Sequence, residues 1–204
     1  MPRDKSGHHE AIIAAARHEF MTFGFVDASM RRIADAAGMS ASGLYKHFPS
    51  KEEMFAALVE PACQGLMDMY RQEETAERMA AHDGSLTDKW EQGGEARLAM
   101  TYIYDHLDAF RLLICKSQGT RYETFLHDLA AEEEKTTMAM MALLRAQGKP
   151  IREVDQKEFH LLVSANVNAV IQAVEHDFTR EEALRYADTL DRFFSRGWQE
   201  FFGY

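Results

Sequence analysis

The sequence predicts an all-α fold, and three observations indicate it. Apolar residues recur three and four positions apart along most of the 204 residues, which is the spacing of a helix face. No alternating run of Val, Ile or Thr bounded by turn residues appears, so strand signals are nearly absent. The four prolines and twelve glycines are scattered. With 46% hydrophobic residues, the chain can bury a core and is expected to be folded.

The net charge of −10 is distributed unevenly. Residues 1–60 hold 7 Lys/Arg and 8 Asp/Glu, a net charge of −1, whereas residues 61–204 hold 16 and 25, a net charge of −9. An acidic surplus that lies more than about 10 Å from a contact surface is largely screened at moderate salt. The charge therefore permits nucleic-acid binding by the N-terminal part but does not argue for it.

Neither a secreted nor a membrane protein is expected. The first ten residues contain no apolar stretch of the kind that a signal peptide requires, and no segment approaches the ~20 apolar residues of a membrane span. Cys63 and Cys115 lie far apart in the sequence, so a disulfide framework is not expected. These features predict a cytoplasmic protein that makes no contact with a membrane.

The first helix is predicted over residues 8–23. Ile12, Ala16, Phe20 and Phe23 form one apolar stripe along it, and Gly24 is expected to end it. With the next two helices, this stripe would complete a small three-helix domain.

Residues 29–48 have the pattern of two short helices joined by a tight turn. Ser29 and Ser40 can cap them, because each hydroxyl can accept a backbone N–H that a helix start leaves unpaired. Gly38 stands where the end of a helix needs a left-handed residue. The second helix buries Leu44 and turns a polar, partly basic side outward. This side carries Ser42, Tyr45, Lys46 and His47. The pattern is typical of a helix-turn-helix, whose second helix reads DNA.

A third helix is predicted to begin after Ser50, and its apolar pattern continues to Tyr70. Pro61 removes a backbone donor and predicts a kink rather than an end. We therefore expect a helix-turn-helix domain over residues 1–52 and a second helical domain over residues 53–204. The long helix would connect them as a rigid lever.

Two more helices are predicted in the middle of the chain, over residues 95–107 and 122–147. The breaks between helices are expected at residues 80–85, 91–94 and 116–120, which are rich in glycine and polar residues.

The last two helices, predicted over 158–176 and 180–202, are apolar over more than one stripe. A helix with one wet side needs a single stripe, so each is expected to have one partner in its own chain and one in a second copy. Such helices meeting a two-fold mate predict a homodimer, and a fully buried hairpin in a monomer is the alternative. The residues assigned to the dimer interface are Phe159, Val163, Val167, Val170, Leu190, Phe194 and Trp198.

Catalysis is not expected. No His-x-x-x-His, Cys-x-x-Cys, Gly-x-Ser-x-Gly or phosphate-loop pattern occurs. The pairs His82-Asp83, His127-Asp128 and His176-Asp177 are adjacent in sequence, so on a helix their side chains diverge by about 100°. We expect no catalytic residue, no metal site and no cofactor.

The stretch from Phe20 to Phe55 resembles the TetR (tetracycline-repressor-like) family of bacterial transcriptional regulators. The resemblance is carried by Phe-Gly before a capped helix, by Ile-Ala and Ala-Gly, and then by Leu-Tyr-Lys-His-Phe and Ser-Lys-Glu-Glu. It implies a helix-turn-helix domain followed by a helical ligand-binding and dimerisation domain. It also implies a homodimeric regulator, a repressor by family habit, that releases a double-stranded DNA operator when a small-molecule effector binds. The effector itself is not identified by the resemblance.

Carried over to the matching positions, the resemblance places residues 40–48 in the major groove. Residues 41–43 would lie nearest the bases, while Tyr45, His47 and Lys51 would contact phosphates. Hydroxyls, an imidazole and cations suit phosphate oxygens, which fix the register on DNA. The expected DNA contacts are Ser29, Arg31, Arg32, Ser40, Ala41, Ser42, Gly43, Tyr45, Lys46, His47 and Lys51.

Candidate ligand contacts lie in the middle of the chain and in the penultimate helix. Aromatic residues with a few polar groups can line a mostly apolar cavity. In the alternative, these residues are core, and a protein partner rather than a small molecule controls the regulator. The candidates are Trp90, Tyr102, His106, Phe110, Tyr122, Phe125 and Asn166.

Overall fold

The structure is a computed structural model that describes residues 5–86 and 93–203 of the chain. All regular elements in these two ranges are α-helices, which confirms the predicted fold class. No helix within them is long and apolar enough to cross a membrane. In chain order the helices are α1 (Lys5–Asp27), α2 (Met30–Ala36), α3 (Ala41–His47), α4 (Lys51–Asp83), α5 (Glu95–Asp105), α6 (Leu107–Cys115), α7 (Phe125–Ala146), α8 (Gln156–Glu175) and α9 (Arg180–Phe202).

The chain divides into two compact units. Unit 1 comprises Met1–Gln64 and Leu107–Glu123, and unit 2 comprises Gly65–His106 and Thr124–Tyr204. Unit 1 includes the whole of the expected DNA-binding domain, residues 1–52, and adds α6 and the first part of α4 to it. The expected boundary at the end of that domain stays a prediction. Helix α4 contributes residues to both units.

The core of unit 1 forms around α1. Ile12, Ala16 and Phe20 are fully buried, as the apolar stripe predicts, whereas 47% of Phe23 is exposed and its ring lies under the Arg32 guanidinium instead of in the core. The ring of Phe20 lies edge-on to that of Phe55 in α4, with 5.2 Å between the ring centroids. Gly24 interrupts the regular helix at the predicted place with φ of +69°, and one further turn of α1 follows it. Other buried side chains of this core are Ile33, Leu44, Met54 and Val59.

Unit 2 is a bundle in which α5 packs on α9, and α8 packs on both α7 and α9. The hydroxyl of Tyr104 lies 3.0 Å from the carbonyl oxygen of Ala173 and 2.9 Å from that of Phe178, which ties α5 to the end of α8. Arg97 of α5 pairs with Asp188 of α9 at 2.7 Å. These contacts hold the helices around a central cavity.

One predicted break differs from the structure. Helix α4 continues to Asp83 and is followed by Gly84 at φ of +88°, whereas the sequence pattern suggested that a loop begins at residue 80. Ala80 and Ala81 are buried, and this packing extends the helix through a polar sequence that lacks its own apolar stripe. The break expected at residues 91–94 lies partly outside the described residues, since 91 and 92 are not among them.

Candidate functional site

The turn between α2 and α3 has the geometry that the sequence predicts. Gly38 adopts φ of +68°, and the N–H of Met39 donates to the carbonyl oxygen of Ala34 at 3.0 Å. The hydroxyl of Ser40 then accepts the N–H of Gly43 at 3.1 Å and starts α3. A left-handed glycine followed by a side-chain cap thus reverses the chain within a few residues.

Helix α3 has a buried side and an exposed side. Leu44 is fully buried, and Phe48 just after the helix is nearly so. Half of Tyr45 is exposed. Because Leu44 packs into the core, Tyr45 and the other polar side chains of α3 point toward solvent. These other side chains are Ser42, Lys46 and His47. The helix therefore presents hydroxyl, phenol, ammonium and imidazole groups to solvent.

The start of α2 is held by a buried carboxylate that the sequence analysis missed. Glu19 accepts the backbone N–H of Ser29 at 2.8 Å and the Nε–H of Arg32 at 2.8 Å. Burial alone would raise the pKa of Glu19, but the hydrogen bonds from Arg32 and Ser29 outweigh it and leave this pKa below its ordinary value. In the sequence, the one sign of this interaction is that Glu19 stands among the apolar residues of α1.

The two arginines expected at the DNA backbone have different surroundings. The Arg32 guanidinium also lies over the ring of Phe23, 4.4 Å from its centroid, and is occupied within unit 1. Arg31 is exposed, and no described residue bonds to its guanidinium. Of the two, Arg31 is therefore the one whose charge is available to a phosphate.

Lys51 is also engaged inside unit 1. Its ammonium donates to the carbonyl oxygens of Val26 at 2.9 Å and Ala28 at 3.1 Å. It lies 4.6 Å from the ring centroid of Phe25. An ammonium has three N–H donors, so one remains for a further acceptor. Its role as a phosphate contact stays a prediction.

Unit 2 encloses a cavity of about 500 Å³, lined from α4, α5, α7, α8 and α9. This volume lies within the range of small-molecule sites. Its walls are mostly apolar, with the amide of Asn166 and the hydroxyls of Thr137 and Ser195 among the polar groups. The aromatic side chains that line it are Tyr70, Phe159, Phe194, Trp198 and Phe202.

The charged residues of this wall are nearly all acidic. Among the described lining residues, eight carry carboxylates and Arg71 is the one basic residue. No group of three or more His, Cys, Asp or Glu within the described ranges is arranged to hold a metal ion. The acidic residues are Glu73, Glu74, Glu77, Glu95, Asp128, Glu132, Glu133 and Asp191.

The cavity differs from the ligand site that the sequence analysis assembled. Asn166 lines the cavity, whereas Trp90 lies outside the described residues. The rings of Tyr102 and His106 contact each other at an interplanar angle of 47°, with 4.5 Å between their centroids, and neither residue is part of the lining.

Three other predicted ligand residues also lie away from the lining. Phe110 is fully buried in unit 1, and the Tyr122 hydroxyl donates to Glu60 of the same unit. Phe125 starts α7 and is half-buried outside the lining. These residues were grouped as one ligand site because they are close together in the sequence. In the structure, α6 and the segment after it belong to unit 1, so Phe110 and Tyr122 are not part of the helical bundle of unit 2.

The residues assigned to the dimer interface face inward instead. Phe159, Val163, Val167 and Leu190 are buried within their own chain. Val170, Phe194 and Trp198 are half-buried, and all of the assigned residues except Val163 line the cavity. The two apolar stripes of α8 and α9 look alike in sequence, and the assignment selected the stripe that packs internally. The exposed stripe carries Leu161, Leu162 and Phe193, of which 68%, 41% and 72% are exposed.

Comparisons with known proteins agree on the N-terminal region. Residues 12–58 match the family described as bacterial regulatory proteins, tetR family. The HTH-type transcriptional regulator RutR of Escherichia coli K12 is 39% identical over 57 residues, 28% of this chain and 27% of RutR. The HTH-type transcriptional activator FasR of Mycolicibacterium smegmatis is 36% identical over 72 residues, 35% of this chain and 32% of FasR. The chain thus matches about a quarter to a third of the length of these relatives.

Solved structures with the same fold cover nearly the whole chain. MexZ of Pseudomonas aeruginosa, described as a key repressor responsible for antibiotic resistance, has a TM-score of 0.56 at 16% identity, covering 95% of this chain and 94% of its own. The TetR-family regulator PfmR of Thermus thermophilus has a TM-score of 0.52 at 22% identity, covering 92% and 95%. The proteins found are regulators rather than enzymes. Residues 12–58, which contain the helix-turn-helix, are therefore similar to the DNA-binding region of the tetR family of bacterial regulatory proteins.

Proposed function

We propose that the chain is a homodimeric, ligand-responsive repressor of transcription that binds operator DNA through unit 1 and releases it when a small molecule binds in unit 2. The observation that carries this proposal is the exposed side of α3, where Ser42, Tyr45, Lys46 and His47 extend from a helix whose other side is buried. These groups are suited to the edge of a groove and its phosphates.

Within this proposal, the exposed residues divide into two roles. Ala41, Ser42 and Gly43 stand at the start of α3, where a recognition helix approaches the bases. Tyr45 and His47, with Lys46 beside them, would contact phosphates, and Arg31 would hold the flanking backbone. Phosphate contacts position the protein, and base contacts supply sequence preference.

The cavity of unit 2 favours control by a small molecule over control by a protein partner. Its volume of about 500 Å³ and its mostly apolar walls suit an organic ligand. The dimer would form through the exposed stripe of α8 and α9, because Leu161, Leu162 and Phe193 are apolar and uncovered in one chain. A two-fold dimer predicts a roughly palindromic operator whose half-sites lie ~34–36 Å apart or a multiple of that distance.

The experiment is selection of duplexes from a random-sequence pool, followed by fluorescence anisotropy with the selected duplex in rising salt. We expect a roughly palindromic sequence to be enriched. Lys46→Ala should lower the salt slope by about 1, because one phosphate contact is lost. Lys149→Ala makes the same charge change at an exposed site in unit 2 and should leave the slope unaltered. Failure of the pool to yield any preferred sequence would overturn the proposal.

A further inference from the structure

Some charged side chains of the cavity wall have a partner of opposite charge. Arg71 pairs with Asp68 at 2.6 Å, so its charge is already balanced. Glu74 pairs with Arg78 at 2.8 Å, and Glu132 pairs with Lys135 at 3.0 Å. These carboxylates are satisfied by partners on their own helices.

Other carboxylates of the wall take part in the fold as well. Asp191 of α9 accepts the N–H groups of Ala96 and Arg97 at 2.9 and 3.3 Å, which caps the start of α5. Asp128 accepts the hydroxyl of Thr124 at 2.9 Å. Three further carboxylates, Glu73, Glu77 and Glu95, also lie on the wall.

Glu133 of α7 is the exception. Within the part of the chain that the structure describes, no side chain donates a hydrogen bond to its carboxylate, and its shielding from solvent raises its pKa to about 7. The negative charge of Glu77 raises this pKa further. Even so, Glu133 keeps some accessible surface and belongs to the lining, as expected of a side chain that faces an internal space. A carboxylate in such a place lacks a positive partner.

Aromatic rings lie on the same wall. Trp198 packs against Phe159 with 5.7 Å between centroids and against Phe194 at 6.3 Å. Tyr70 lies close enough to Glu133 for the carboxylate charge to raise the pKa of its phenol, after burial, which is the larger cause. The faces of aromatic rings attract organic cations, and this attraction grows when water is excluded. Aromatic rings and an uncompensated carboxylate in the lining of one cavity favour a ligand that is both apolar and positively charged.

We propose that the cavity of unit 2 binds a lipophilic organic cation, an amine or quaternary ammonium with an apolar body, whose charge lies against Glu133. This inference rests on the proposed ligand response and names the class of ligand. An organic anion would meet eight carboxylates and a single arginine that is already paired. A neutral apolar molecule would fill the space but leave Glu133 without a partner.

The test uses three matched probes on the purified full-length chain without DNA. Benzyltrimethylammonium is the cation, neopentylbenzene replaces its nitrogen by carbon, and phenylacetate is an anion of similar size. Isothermal titration or ligand-detected NMR should rank the cation first and the anion last. The charge of benzyltrimethylammonium does not change with pH. The affinity of the protein for this cation should therefore rise about tenfold from pH 6 to pH 8, because the Glu133 carboxylate, whose pKa is about 7, ionises over that range.

Glu133→Gln should weaken binding of the cation at pH 8 by about tenfold or more and leave neopentylbenzene unaffected, since a buried charge loses its partner. Glu132→Gln is the control, because that carboxylate already pairs with Lys135 and its loss should change cation binding little. Equal affinities for the cation and its carbon isostere, or tighter binding of phenylacetate, would overturn the proposal.

Operator binding measured on the same samples separates the two proposals. A chain that binds its selected duplex but shows no affinity for the cation at millimolar concentration would overturn the ligand class and leave the DNA-binding function standing. A chain that binds the cation through Glu133 but enriches no DNA sequence would support the ligand class and overturn the function.

Discussion

At the scale of single residues, the structure separates side chains that the sequence pattern treats alike. Arg31 and Arg32 are neighbours on α2, yet Arg32 binds Glu19 and the ring of Phe23 while Arg31 extends into solvent. The caps at Ser29 and Ser40 were predictable because each bond spans three residues. The bond between Glu19 and Arg32 spans thirteen residues and depends on how α1 meets α2, which no local pattern encodes.

We predict opposite phenotypes for the two arginines. Arg32→Ala should lower the free energy of unfolding, because the buried Glu19 carboxylate loses its charged hydrogen bonds; solvent around the half-exposed Arg32 side chain reduces the size of this loss. Arg31→Ala should leave that free energy unchanged and weaken DNA binding. Urea denaturation and anisotropy on both variants measure this. A stable Arg32→Ala protein would mean that Glu19 finds another partner.

Glu133 predicts a pH dependence of stability whose sign follows from its raised pKa. A carboxyl group with a pKa near 4.5 in the unfolded chain and about 7 in the folded one takes up a proton on folding. Its contribution to stability is therefore full below pH 4.5 and is lost as the pH rises through 7. Glu133→Gln should accordingly raise the free energy of unfolding more at pH 8 than at pH 5. The same pair of measurements on Glu132→Gln should show no such difference.

At the scale of helices, the ends were easier to predict than the faces. The start of α9 at Arg180 agrees with the prediction, since Thr179 and Glu182 form a capping box there. The face of α9 was harder to assign, because Leu190, Phe194 and Trp198 on the inner side and Phe193 on the outer side have the same chemical character. Only the packing of α5 and α8 on α9 shows which stripe is internal.

The exposed stripe of α8 and α9, which carries Leu161, Leu162 and Phe193, gives a prediction about dimerisation. Phe193→Glu should yield folded monomers with weak DNA affinity, because 72% of Phe193 is exposed and its contact within the chain is with the ring of the neighbouring Phe194. Val167→Glu should instead destabilise the fold, since Val167 is buried and lines the cavity. Sedimentation and thermal denaturation distinguish the two effects. An intact dimer in Phe193→Glu would show that another surface mediates dimerisation.

At the scale of the whole molecule, charge is unequally distributed along the chain. The acidic surplus belongs mostly to residues 61–204, and part of it lines the cavity of unit 2. The sequence predicted the helix-turn-helix well because that motif is local, with its caps and its left-handed glycine within about twenty residues. It predicted the cavity poorly, since the lining comes from five helices and its members are spread from Leu66 to Phe202.

Because α4 supplies residues to both units, it is the element through which a ligand could influence DNA binding. A ligand shifts this equilibrium only by the difference in its affinity for the DNA-competent and incompetent forms. A typical coupling of ~1–3 kcal/mol corresponds to a 5–150-fold change in DNA affinity. Linkage is reciprocal, so the selected operator duplex should weaken binding of benzyltrimethylammonium by the same factor by which the cation weakens binding of the duplex. Titrations of the cation with and without saturating duplex measure this factor. Equal affinities in the two titrations would show that this cation does not induce release, however tightly it binds.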